Sequence, residues 1–266
     1  TGRYEDQGEG QTCCQGAGQS AGQSAGQEIS GKSLMNPIKV DQADGLRQLM
    51  ANSPGQKLAV VGSGPTVGAT SVAQNLAAAL RQQGRDVLLH DERSAAPPTP
   101  AECAGRLLLV DAVLDPQGAL SAWAAQADHV MVVLQPSATS IKASYACVKK
   151  LHYAHALQCV HMLVNCATDA SQAERILVNL AQTSGRYLAM TLASAGWVRA
   201  DPQMLQAQRL NLTVVEAYRT SPAAADFFQI AADLGQWPWR SPQGPARAVR
   251  PALAASNATG PTLALH

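Results

Sequence analysis

A doubly wound, mostly parallel α/β domain with disordered termini is the fold class the sequence predicts. Three observations predict it. Six short apolar runs alternate with helical patterns between residues 57 and 239. Those runs are apolar on both faces instead of alternating with polar residues, as strands of a sheet covered on both sides are. The first run enters a Gly-rich turn that opens a helix. Composition agrees, because 46% hydrophobic and 15% charged residues in a chain of 266 suit a packed core.

Taken in order, residues 1–34 are low-complexity. The repeat GAGQSAGQSAGQ cannot bury a core and is expected to be disordered. Met35 opens MNPIKVDQADGLRQLM and is read as the natural start, with the upstream stretch an extension. Residues 35–55 are expected to be a helix and linker. Asp41 can cap the helix, and Ala43, Leu46, Leu49 and Met50 fall at helical spacing over 41–50. Asn52, Ser53, Pro54 and Gly55 end it. The main domain is expected over 56–239, with strands at 58–61, 87–89, 107–110, 130–134, 160–164 and 192–198. Helices are expected near 70–83, 116–127, 139–153, 170–183, 202–209 and 222–235. Residues 240–266 hold Pro242, Pro245, Pro251 and Pro261 with little apolar periodicity, and are expected to be a disordered tail.

Charge and composition exclude several functions. Lys and Arg number 20 against 19 Asp and Glu, a net charge of +1. No global field recruits nucleic acid or anionic lipid. Aromatic residues are only 4%, thin for a base-stacking platform. No apolar run reaches the roughly 20 residues of a membrane span. The amino-terminal segment lacks the apolar region of a signal peptide, so a cytoplasmic protein is expected. Cys103, Cys147, Cys159 and Cys166 sit singly, Cys13 and Cys14 are adjacent, and no pair has CxxC spacing. They are read as reduced thiols. His152, His155, Cys159 and His161 are read as a helix face followed by a strand in preference to a metal cluster.

The most informative segment is LAVVGSGPTVGATSVAQNLA, from Leu58 to Ala77. Strand, Gly-rich turn and helix N-terminus are what a phosphate cradle requires, since backbone N–H groups then point at an anion. Gly62, Gly64 and Gly68 miss the spacing of a dinucleotide turn by one residue. Against G-x-x-x-x-G-K-[ST], Gly68 and Thr70 are kept and Ser71 follows, but Ser63 replaces the first Gly and Ala69 stands where the Lys should be. Losing that Lys removes a charge-assisted contact of roughly 1.5–3 kcal/mol. Pro65 removes one N–H from the loop. The motif alone leaves two readings open, a nucleotide site and a turn kept for its shape.

The block over residues 62–77 resembles the deviant Walker A of the MinD/ParA ATPases, KGGVGKT[TS], followed by an Asn-Leu-Ala segment. Val67, Gly68, Thr70, Asn75, Leu76 and Ala77 match, whereas Gly64 and Ala69 occupy the two lysine positions. VLLHD, ending at Asp91, resembles the next strand, whose Asp-x-Asp end becomes Asp91 and Arg93 here. LLLVD, ending at Asp111, resembles Walker B. Within that family the segments DQADGLR (41–47), QPSATSIKASYA (135–146) and VNCA (164–167) are most similar to FlhG/FleN regulators of flagellar number and placement.

The resemblance covers residues 38–239 and implies a MinD/ParA-like P-loop fold. It implies ATP or ADP bound by Ser63, Gly64, Gly68, Ala69, Thr70 and Ser71, with Asp91 and Asp111 beside it and Asn165 at the base. It implies Mg²⁺ held by Thr70 and Asp111. The lost lysines imply that nucleotide and metal binding is weak or absent and hydrolysis is lost. Asp41, Gln42, Ala43, Leu46 and Arg47 are implied to stimulate an SRP-type GTPase of the FlhF kind. Flagellar basal-body or C-ring proteins are implied as further partners, and the inner membrane or cell pole as a peripheral location. Only fifteen residues separate Asp91 from Leu107, too few for the family's full ATP-dependent dimer face. The rival readings are an ATPase that still hydrolyses and a MinD/ParA relative of partition or cellulose synthesis.

Other residues carry plainer expectations. Asp111 is either a helix cap or solvated strand end, or part of a metal shell. Asp115 before Pro116 is expected to cap a helix. Lys142, Lys149 and Lys150 are expected on a solvated helix face, and Trp237 is expected to pack on the domain in preference to a membrane.

Overall fold

The computed structural model describes residues 55–94 and 96–239. The expected helix over 41–50, the extension and the carboxy-terminal tail therefore lie outside the described residues. Six strands form one sheet: β1 (Gln56–Gly62), β2 (Val87–Asp91), β3 (Leu107–Asp111), β4 (His129–Leu134), β5 (Cys159–Ala167) and β6 (Thr191–Arg199). Their order is β2-β3-β1-β4-β5-β6, and every pairing is parallel. All six expected strands are present.

The apolar runs have no polar face because both faces of the sheet are covered. Leu58, Val60, Leu107, Leu109, Met131 and Val133 join one buried cluster. Their neighbours Ala59, Val61, Leu108, Val110, Val130 and Val132 join the other. The first face is covered by α1 (Ala69–Gln82) and α7 (Pro222–Leu234), which contributes the fully buried Phe227. Facing the second are α3 (Ala138–His155) and α4 (Ala170–Leu188). The remaining helices are the short α2 (Pro100–Cys103), α5 (Pro202–Arg209) and α6 (Val214–Ala217). Ser137, Asp169, Asp201 and Ser221 cap their helices through side-chain oxygens. Asp226 of α7 receives Arg199 Nε at 2.8 Å and Nη2 at 2.7 Å, a fork that ties this helix to the end of β6.

The expected helix near 116–127 is a correction. That segment holds turns and a single 3₁₀ turn, Ala124–Gln126. Asp115 does not cap a helix. Its Oδ1 accepts the Ala119 N–H at 2.8 Å across a turn in which Gly118 has φ +84°, a backbone state that breaks helical continuity. Conversely, α2 and α6 are short capping-box turns that the apolar pattern does not signal.

Toward the amino ends of β4 and β5, a ring cluster closes the sheet. Trp237 stacks on His161 with centroids 3.5 Å apart, so the expected packing of Trp237 is present. His161 Nε2 lies 3.2 Å from His129 Nδ1, and Trp239 meets His129 edge-on at 4.8 Å. Burial, with the neighbouring His129, pushes the His161 imidazole down to about 4. The folded state therefore resists a proton that the unfolded chain accepts near 6.5. Stability should be full above about pH 6.5 and fall toward pH 4, by at most about 3 kcal/mol. His161→Phe should flatten that part of the pH profile in urea titrations, and an unchanged slope would remove His161 as the cause.

The His and Cys groups considered for a metal have separate partners. His155 Nε2 accepts the Leu120 N–H at 2.8 Å, and His152 Nδ1 lies 2.8 Å from the Leu157 carbonyl. Cys103, Cys147 and Cys166 are free thiols, with burial pushing Cys147 up to about 12. Lys142, Lys149 and Lys150 lie exposed on α3. Among the described residues no helix is long and apolar enough to cross a membrane.

Candidate functional site

The carboxyl ends of β1, β2 and β3 meet where the strand order turns back on β1, the place at which open α/β sheets bind ligands. Register sets the site. Val60 pairs with Asp111, and Asp111 pairs with Asp91, so the two carboxylates end neighbouring strands side by side. The loop from Gly62 to Gly68 leaves β1 and delivers α1.

Loop shape follows from a few residues. Thr66 has φ +61° and Gly68 φ +86°. A Cβ on Gly68 would lie 2.5 Å from Asn165 Nδ2, so both backbone state and space require glycine. Asn165 is buried and donates Nδ2 to the Val67 carbonyl at 2.9 Å. Its amide nitrogen thus braces the loop from beneath. Gln135 Nε2 holds the Thr66 carbonyl at 3.2 Å, and the Ser63 hydroxyl lies 3.5 Å from that of Ser140. Gly68 supplies no side-chain cap to α1, and the first turn carries no acid. Its leading N–H groups and the positive end of its dipole are left for an anion.

Side chains of the loop are less suited to nucleotide. Ala69 is buried at 9% exposure and contributes only a methyl group. Gly64 faces open space, with nothing within 4 Å of the point where a Cβ would stand. Ser71 accepts Gln208 Nε2 at 2.8 Å, which links α1 to α5. Asn75 holds the Val214 N–H at 2.8 Å through its Oδ1 and so fixes the start of α6.

Arg93 dominates the electrostatics. Its Nη1 donates to Asp111 Oδ2 at 2.6 Å and lies 3.3 Å from Asp91 Oδ1 and 3.4 Å from Thr70 Oγ1. Thr70 Oγ1 in turn donates to Asp111 Oδ2 at 2.7 Å. Burial opposes the Arg93 charge, but Asp111 and then Asp91 outweigh it and hold the guanidinium above its ordinary value. The Arg93 backbone N–H, helped by its charge against the cost of burial, holds Asp91 below the usual carboxylate range. Thr70 and Asp111, the expected metal ligands, are therefore brought together with Asp91, but around a cation of the chain's own. As they stand they do not fit a divalent ion, because the guanidinium already takes the carboxylate oxygen and faces the hydroxyl. The sequence signal was the Asp91-Glu-Arg93 strand end; the side-chain reach across to β3 was not readable from it.

The chain is 25% identical over 132 residues to the antiactivator FleN of Pseudomonas aeruginosa, covering 50% of this chain and 47% of FleN. The chain thus spans about half the length of the curated relative it matches. Among solved structures, a chain of the MinC:MinD cell division protein complex of Aquifex aeolicus aligns with a TM-score of 0.51 at 15% identity, over 68% of this chain and 96% of that one. The fold is that of the MinD/ParA-type ATPases, and over half of its length the sequence is similar to FleN. A ParA family ATPase from Chlorobium tepidum aligns at a TM-score of 0.49 and 15% identity, over 69% of this chain and all of that one. No protein-family model matches the sequence. The loop after β1 and the ends of β3 and β2 stand where the P-loop, Walker B strand and second acidic strand end are expected, with Gly64, Ala69 and Arg93 at the three positions expected to be charged.

Proposed function

We propose that this chain is an FlhG-like regulator of flagellar number and placement. It acts on an SRP-type GTPase of the FlhF kind through residues 41–47, and its own nucleotide site does not hydrolyse ATP. The observation that supports this most is the likeness to FleN, named an antiactivator, in a chain whose P-loop offers a methyl group at Ala69 and an arginine on Asp111. A protein with that site regulates by contact instead of turnover. Residues 41–47 lie outside the described residues, so their role rests on the motif.

ATP or ADP remains the ligand class for the uncapped start of α1, held by Ser63, Gly64, Gly68, Thr70 and Ser71 with low affinity. Basal-body or C-ring proteins are the further partners, reached from the cytoplasm or from the inner face of the membrane at the pole.

Deleting the gene in its host and counting flagella by electron microscopy tests the regulator role. An altered count or placement, restored by the wild-type gene, is expected; an unchanged distribution would refute it. The site also predicts the mass of the protein in solution. With only the short α2 segment between Asp91 and Leu107, excess Mg-ATP should leave the mass unchanged by light scattering. An ATP-dependent dimer would show that another surface has taken over.

A further inference from the structure

We infer that Arg93 is the resident cation of this site and keeps divalent metal out of it, so that the chain contains a latent metal site that the arginine closes. Two observations carry the inference. Nη1 sits among three oxygens from three elements: Asp111 Oδ2 of β3 at 2.6 Å, Asp91 Oδ1 of β2 at 3.3 Å and Thr70 Oγ1 of α1 at 3.4 Å. Independently, Asp111 is 2% exposed, and its other oxygen, Oδ1, is buried with no hydrogen-bond partner among the described residues. A buried carboxylate with an unsatisfied oxygen is costly unless a cation lies against it. Here only one oxygen of Asp111 is served by the guanidinium.

The arginine is held there by its surroundings. Its own N–H donates to Asp91 Oδ1 at 2.9 Å. The preceding Glu92 is anchored twice, accepting the Val113 N–H at 3.0 Å through Oε2 and the Ser121 hydroxyl at 2.6 Å through Oε1. Ser94 closes the turn with its N–H on the Asp91 carbonyl at 3.2 Å. The loop therefore aims Arg93 back over its own strand end toward β3. A guanidinium stays charged at every working pH, so this cation cannot be titrated away.

A divalent ion prefers carboxylate, hydroxyl and water oxygens. Thr70, Asp91 and Asp111 supply such a set once the guanidinium is gone. Two opposed carboxylates then share one small space without a counter-charge, and metal should be drawn into it.

The test uses the whole chain with Mg²⁺ or Mn²⁺ alone. No nucleotide or GTPase is present, so its outcome is independent of the proposed flagellar role. Arg93→Gln should lower the melting temperature, and millimolar Mg²⁺ should recover most of that loss while leaving the wild type unmoved. Electron paramagnetic resonance of Mn²⁺ should show binding at least tenfold tighter in Arg93→Gln than in wild type. Arg93→Asp, which adds a third carboxylate, should bind more tightly still if it folds. Adding Asp111→Asn to either variant should abolish the gain. Wild-type Mn²⁺ binding as tight as the variants', no gain in either variant, or a gain that survives Asp111→Asn would each overturn the inference.

Discussion

Steady-state phosphate release from Mg-ATP is expected to stay at background for this protein, and Ala69→Lys alone is expected to leave it there. Phosphoryl transfer is accelerated by positioned charge, and each preorganised donor is worth roughly 10²–10³ in rate. Three positions differ from the charged residues of the resembled pattern, two lysines and one acid. Gly64 and Ala69 carry no charge, and Arg93 lies on Asp111 Oδ2 at 2.6 Å. A lysine at Ala69 would return one donor while the guanidinium still held Asp111 and faced Thr70. A lysine at Gly64 has room, since nothing lies within 4 Å of its Cβ position. Gly64→Lys, Ala69→Lys and Arg93→Asp together are therefore the smallest set expected to produce hydrolysis, roughly 10²–10³ above the wild type. A wild-type rate that disappears on Asp111→Ala would mean that the native site turns over, and would refute the expectation.

The strands were legible because burial on both faces leaves its mark on every residue. Leu58 to Val61 and Leu107 to Val110 have no polar position, and both faces of the sheet are packed. The helices expected near 139–153 and 170–183 were equally plain from their helical patterns, and the structure adds N-caps at Ser137 for α3 and Asp169 for α4. The segment near 116–127 was not. Its apolar residues Leu120 and Ala124 are buried one at a time by turns, which imitates helical spacing over a short window.

In the site, sequence spacing found the strand-end carboxylates and the Gly-rich turn because each is local to one element. It did not find the contact that changes their chemistry. Arg93 reads as a missing acid in sequence, whereas its guanidinium lies against the hydrogen-bonded pair of Thr70 and Asp111, on two other elements. Asn165 shows the same limit. The motif marks it as a residue of the site, but only the fold shows its amide on the Val67 carbonyl and beneath Gly68. The ring cluster of His129, His161, Trp237 and Trp239 draws on β4, β5 and the segment after α7, so no window of sequence contains it.

A synthetic peptide covering residues 36–52 is expected to raise GTP hydrolysis by the cognate FlhF-like GTPase by roughly tenfold or more. The expectation rests on the sequence of that segment. Ala43, Leu46 and Met50 fall at helical spacing in the sequence and, on one face of a helix, would pack on the partner. Gln42 and Arg47 carry the polar chemistry a GTPase site lacks. Arg47 donates through a planar fork that stays ionised and can stabilise charge on a transferring phosphoryl group. Gln42 can instead orient the attacking water, as a glutamine does in other GTPases. Gln42→Ala and Arg47→Ala should each blunt the stimulation, and the larger loss identifies which residue acts on the phosphoryl group. Under the proposed role the segment would work on the partner's nucleotide, so Thr70→Ala in the full chain should leave stimulation intact. A peptide without effect, beside a full chain that stimulates, would move the effector surface from residues 41–47 to the α/β domain.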